Sequence, residues 1–167
     1  MGFQGVAPVG KTGWFLNADL FYNDGRMSET SVITPELESL LNVEFGPDVY
    51  EIEKGMVRKF AEAIDDPNPA WLEVTPPTFP AALVPTGLLH VVFNAECPLK
   101  RILNGSSELT YLKPIKIGDT ISVTGKLTRL RQVNGKDGVT LFMFAEVTCT
   151  NQDGEVVVRG KNTYIRY

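Results

Sequence analysis

The chain has 167 residues, the size of one domain, and a sequence this long can bury about 70% of its unfolded surface in a single core. With 43% hydrophobic and 22% charged residues and a mean hydropathy of −0.04, the composition argues against extended disorder and against a membrane span. Sixteen Lys+Arg against twenty Asp+Glu give a net charge of −4, which supplies no general field for a phosphate backbone, so nucleic acid is not an expected partner.

Residues 1–34 read as an irregular leader rich in Gly, Asn and Asp, with Trp14, Phe15, Phe21 and Tyr22 as candidate anchors. Within it, Gly5-Val6-Ala7-Pro8-Val9-Gly10-Lys11-Thr12 matches the phosphate-loop pattern letter for letter. That loop works only between a buried strand and a helix N-terminus. Four residues precede Gly5, Pro8 removes a backbone donor and Gly13 breaks the helix that should follow, so the match reads as coincidence and nucleotide is not expected to bind. The leader also lacks the continuous apolar run of a secretory signal.

Thr34-Pro35-Glu36 supplies an N-cap, a first-turn proline and an early acid, and Leu37, Leu40 and Leu41 follow at helical spacing. After Gly46-Pro47, residues Val49 to Glu53 read as a brief strand. Gly55 introduces Val57, Phe60, Ala61 and Ile64 at i, i+3, i+4 and i+7, an amphipathic helix ended by Asp65-Asp66-Pro67. Pro67, Pro69, Pro76, Pro77, Pro80 and Pro85 make residues 67–85 mostly extended loop. Thr86 is placed to cap a short helix, Gly87 to Asn94, whose Leu88, Leu89, Val91, Val92 and Phe93 leave no polar face, as expected of a helix wrapped by protein on all sides. The apolar stretch Phe79 to Phe93 is broken by Pro80, Pro85, Gly87 and His90 and falls short of the ~20 residues that cross a bilayer. No membrane partner is expected.

Ile121, Val123 and Leu127, then Val139, Leu141, Met143, Ala145 and Val147, then Val156, Val158 and Tyr164, repeat at the strand period of two. Asn134-Gly135-Lys136-Asp137-Gly138 and Gln152-Asp153-Gly154 separate them with hairpin signals. The expected architecture is α+β, a curved antiparallel sheet wrapped around a central helix.

His90 is the one histidine, so a Ser-His-Asp or Cys-His mechanism would have to run through it, and a multi-histidine metal site has no second imidazole. Inside an apolar helix it reads as a buried, hydrogen-bonded side chain, and no metal is expected. Cys97 and Cys149 are far apart and without Cys-x-x-Cys spacing, which points to reduced core thiols in a cytoplasmic protein.

Asp65-Asp66-Pro67-Asn68-Pro69-Ala70-Trp71, Lys113-Pro114-Ile115-Lys116-Ile117-Gly118-Asp119 and Asn151-Gln152-Asp153-Gly154-Glu155 come in an order that resembles the MaoC-like hot-dog family, in its N-terminal, dehydratase-like branch. The resemblance covers residues 35–167 and implies a hot-dog domain. Catalytic members hydrate trans-2-enoyl thioesters or dehydrate (R)-3-hydroxyacyl thioesters with the Asp and His of Gly-Asp-x-Asn-Pro-x-His, a pair able to activate water and return a proton. Asp66 and Asn68 match that motif; Asp65 stands at the Gly and Trp71 at the His. Indole has no lone pair for base work. Thr86-Gly87-Leu88-Leu89 resembles the family's helix start, where a backbone N–H polarises the thioester carbonyl; Thr86 as a plain N-cap and Gly87 as a packing glycine fit equally.

The resemblance thus implies an acyl-CoA- or acyl-carrier-thioester-binding protein with Asp66 as its remaining catalytic residue and Thr86, Gly87, Asn68 and Trp71 toward substrate. No cofactor beyond the thioester is implied. The partner is a second copy or a catalytic MaoC-like subunit that supplies Asp and His. A self-sufficient hydratase, a thioesterase on this fold and a non-enzymatic acyl-CoA-binding regulator are the alternatives.

Overall fold

The computed structural model describes residues 31–136 and 138–167; the expectations for residues 1–30, including the phosphate-loop match and its neighbouring aromatics, lie outside them. Five antiparallel strands, β1 (Glu44–Glu51), β2 (Ile102–Tyr111), β3 (Thr120–Gly135), β4 (Gly138–Thr150) and β5 (Val156–Arg166), form one sheet in the order β1-β3-β4-β5-β2. Three α-helices accompany it: α1 (Pro35–Ser39), α2 (Lys54–Ala63) and α3 (Thr86–Asn94). Single 3₁₀ turns at Pro69–Leu72 and Phe79–Ala82 punctuate the proline-rich loop.

The strands β3, β4 and β5 follow the period of two read in the sequence. Ile121, Val123, Leu127, Leu141, Met143, Val147 and Val158 are buried on one face, and the β3–β4 hairpin closes on the Gly135↔Gly138 pair. Strand β1 starts five residues earlier than the expected 49–53 and stops at Glu51. It bends at a register shift between Phe45 and Asp48, where Gly46 has φ +96° and a Cβ would sit 2.5 Å from the Val123 carbonyl oxygen. An edge strand accommodates Pro47 there because no inner neighbour needs its missing N–H. Strand β2 has no counterpart among the expected elements. Eight of its ten residues are exposed, so it lacks the alternation that marks a half-buried strand.

Helix α2 buries Val57 and Ala61, and its Phe60 ring meets Phe79 edge-on at 5.2 Å between centroids. Helix α3 packs Leu88, Val91 and Val92 into the core, crossing β3 where Gly125 leaves room for Leu88 Cδ2. The expected all-round burial of this helix does not hold. His90 and Asn94 are exposed and Phe93 is 55% exposed; the sheet covers one side of the helix, so an apolar composition on every face does not translate into contact on every face. His90 is correspondingly a surface side chain rather than a buried one. At the C-terminal end of the helix, Arg166 is 4% exposed and donates through its two terminal nitrogens to the carbonyls of Val92 (2.7 Å) and Ala95 (3.1 Å). A cation there satisfies carbonyls that the helix end leaves without partners and offsets the negative end of its dipole.

Candidate functional site

The motif residues begin where α2 ends. Asp65 takes φ +52°, a left-handed conformation that favours glycine and that Asp tolerates better than most residues. It is the position where the related motif carries Gly, so the backbone supports the register of the match. The chain then turns back: the Asp66 N–H donates to the Ala61 carbonyl at 3.0 Å, and Asp66 Oδ1 accepts from the Asn68 N–H at 3.2 Å. Asn68 Oδ1 in turn accepts from the Ala70 N–H at 2.9 Å and caps the 3₁₀ turn that carries Trp71.

These groups border a cleft of about 520 Å³ lined by Asp65, Asp66, Pro67, Asn68, Pro69, Trp71 and Leu72 together with Lys54, Arg58, Ala61 and Glu62 of α2. Trp71 is half-buried against the core, and its buried indole Nε1 has no hydrogen-bond partner among the described residues. That nitrogen can donate and cannot accept. Asp66 therefore faces the cleft beside a side chain that cannot carry a proton in either half of an acid–base cycle.

Thr86 and Gly87 lie elsewhere, at the start of α3, and line none of that cleft. Thr86 is the first helical residue rather than the cap. Its N–H and its hydroxyl both donate to Asp48 Oδ2, at 2.8 and 2.6 Å, so a carboxylate from β1 performs the capping expected of Thr86. The Thr86 hydroxyl, then its N–H, holds the Asp48 carboxyl below the usual carboxylate range. Sequence reading missed Asp48, which lies 38 residues from its partner. The Gly87 N–H has no backbone acceptor among the described residues. A Cβ on Gly87 would lie 3.1 Å from Phe45 Cδ1, so the glycine also serves close packing.

The other two motifs brace the sheet. Asp119 accepts from the Lys116 N–H (2.7 Å) and the Gln152 side-chain amide (3.1 Å), while the Thr120 N–H donates to Gln152 Oε1 (3.1 Å). Asn151 Oδ1 accepts from Asp153 and Glu155, and Lys113 pairs with Glu155. Cys97 and Cys149 are buried and unpaired; burial pushes the Cys149 thiol up to about 11, far from nucleophilic use at neutral pH.

Residues 39–159 match the family model described as "FAS1-like, dehydratase domain region". The chain belongs to this family. A UPF0336 protein of Thermobifida fusca is 28% identical over 109 residues, covering 57% of this chain and 72% of that protein. The fold recurs in the C-terminally truncated HadBC (3R-hydroxyacyl-ACP dehydratase) complex of Mycobacterium tuberculosis, with a TM-score of 0.64 at 19% identity over 75% of this chain and 96% of that one. It recurs in a MaoC-like dehydratase of Rhodospirillum rubrum, with a TM-score of 0.56 at 20% identity over 80% and 97%. The chain thus has the hot-dog fold, a curved antiparallel sheet with few helices, as its residues and its resemblance lead one to expect. No helix among its described residues is long and apolar enough to cross a membrane.

Proposed function

We propose that this FAS1-like dehydratase chain is the substrate-holding half of an (R)-specific enoyl-thioester hydratase or 3-hydroxyacyl-thioester dehydratase. It takes acyl-CoA or an acyl-carrier thioester, uses no cofactor beyond that thioester, and works beside a MaoC-like subunit that supplies the Asp and His. The observation that carries the reading is Trp71, whose indole stands in the cleft beside Asp66 where an imidazole would be needed. The Gly87 N–H, without a backbone acceptor among the described residues, stands at a helix start suited to polarise a thioester carbonyl. The existence of a related fold in the HadBC complex supports assembly with a second hot-dog chain. Two buried free thiols fit a reducing cytoplasm.

The test is the loss of enoyl absorbance with short trans-2-enoyl-CoA, alongside titration of acyl-CoA binding. Binding with negligible turnover is expected, since the missing acid–base group is worth ~10²–10⁴-fold. Trp71→His should recover weak hydration that Asp66→Asn removes again. A second reading has one observation in its favour: His90 is exposed on α3 and free to act. Turnover above ~1 s⁻¹ in the unmodified chain that His90→Gln abolishes would replace the binding-half reading with a self-sufficient hydratase.

A further inference from the structure

Helix α3 begins without a cap of its own. The residue before it, Pro85, makes no side-chain cap hydrogen bond, so the first donors of the helix need acceptors from another element. Strand β1 supplies one and holds the approach as well. Asp48 Oδ2 accepts from the Thr86 N–H at 2.8 Å and from the Thr86 hydroxyl at 2.6 Å, and the Tyr50 hydroxyl donates to the Val84 carbonyl at 3.1 Å. Phe45 completes the contact, since it is the side chain that a Cβ on Gly87 would meet.

These three side chains share a face only because β1 is irregular. Phe45 pairs with Gly125 and Asp48 with Val123, so β1 advances three residues where β3 advances two, a one-residue bulge. Without the extra residue the strand would turn Pro47 and Val49 toward the buried face and send Asp48 and Tyr50 outward. With it, Val49 is the outward residue, while Asp48 and Tyr50 lie opposite the buried Val123 and Ile121 and reach the start of α3. The bulge, with Gly46 in the left-handed region, aims two polar side chains at one turn.

We infer that Asp48 and Tyr50 are positioning residues for the Gly87 N–H: together they fix residues 84–86 and so the direction of the donor that polarises the thioester carbonyl. The inference rests on the proposed thioester-binding function, in which that N–H meets the carbonyl oxygen. A hydrogen bond weakens steeply as its angle departs from linear, and a donor acts on a carbonyl most strongly when it is held in place before the ligand arrives.

Butyryl-CoA, isotopically labelled at the thioester carbonyl carbon, is added to the full chain; its carbonyl stretch is read by infrared difference spectroscopy and its affinity by calorimetry. In the parent chain the stretch should fall below that of the free thioester. Asp48→Ala and Tyr50→Phe should each return it toward the free value and weaken binding about two- to tenfold, the range of one ordinary hydrogen bond. Tyr50→Phe keeps its ring and serves if Asp48→Ala does not fold. Asp48→Asn retains an acceptor for Thr86 and should keep both the lowered stretch and the affinity. Thr34→Ala removes the cap of α1 instead, a comparable loss of stability, and should leave the stretch where it is. A stretch that is not lowered in the parent chain, that stays low in both Asp48→Ala and Tyr50→Phe, that is lost in Asp48→Asn or that moves as far in Thr34→Ala would overturn the positioning role while leaving thioester binding intact. Absence of butyryl-CoA binding to the parent chain would overturn the binding function and the positioning role together.

Discussion

Asp48 shows how much one side chain on an edge strand can govern. Its single oxygen Oδ2 takes both donors of Thr86, so β1 and the start of α3 are fastened through one carboxylate. Asp48→Ala should cost about 1 kcal/mol, the ordinary worth of a helix cap, read as a lower urea midpoint at pH 7. Because the folded carboxyl titrates below its unfolded value, its contribution is complete above about pH 4 and is lost as pH falls through the folded value. The gap between Asp48→Ala and the parent chain should therefore narrow in acid, and a gap that widens there would contradict the capping role. Trp71 and Asp65 show the opposite kind of legibility. Both substitutions in the motif are plain in the residues, and Asp65 takes φ +52° at the position where the motif carries Gly. The Asp48–Thr86 pair was not legible, because nothing local joins residues on separate elements.

Among the elements, β3, β4 and β5 could be read directly because each is buried on one face and open on the other, which forces alternation. Strand β2 could not. Its Asn104-Gly105-Ser106-Ser107 core carries turn-forming residues, and pairing with β5 alone holds it extended. Helix α3 starts within a residue of the position its sequence predicts, yet its apolar composition does not predict its surroundings, since side-chain chemistry does not say how far a sheet curls. The contact between helix and sheet depends on Gly125, where a Cβ would meet Leu88 Cδ2 at 2.9 Å, the Glu146 carbonyl oxygen at 3.1 Å and Pro85 Cγ at 3.3 Å. Gly125→Ala should push α3 off β3 and cost about 1–3 kcal/mol through overpacking, with thermal denaturation as the readout. Gly135→Ala, whose nearest neighbour would be 3.5 Å away, is the matched control and should change stability by much less.

At the scale of the whole molecule, the sheet of the described residues ends in two edge strands, β1 and β2. Val49 is 60% exposed on one, and Leu103 and Tyr111 are 43% and 45% exposed on the other. Neither edge strand contains a lysine, the residue most often used to blunt such edges. Side-by-side association that closes an edge is the expected remedy. Light scattering should give twice the chain mass at micromolar concentration, alone or with the catalytic subunit; an isolated monomer under both conditions would refute it.

Arg166 reaches back 71 residues to Ala95 and 74 to Val92. During synthesis at ~5–20 residues per second, roughly 4–14 seconds separate the emergence of the helix end from that of the cation that completes it. For that interval α3 lacks its guanidinium, and until β3 has emerged it also lacks the strand that it crosses. Until then the nascent chain exposes a short apolar segment, Leu88 to Phe93, too short to hold a helix by itself.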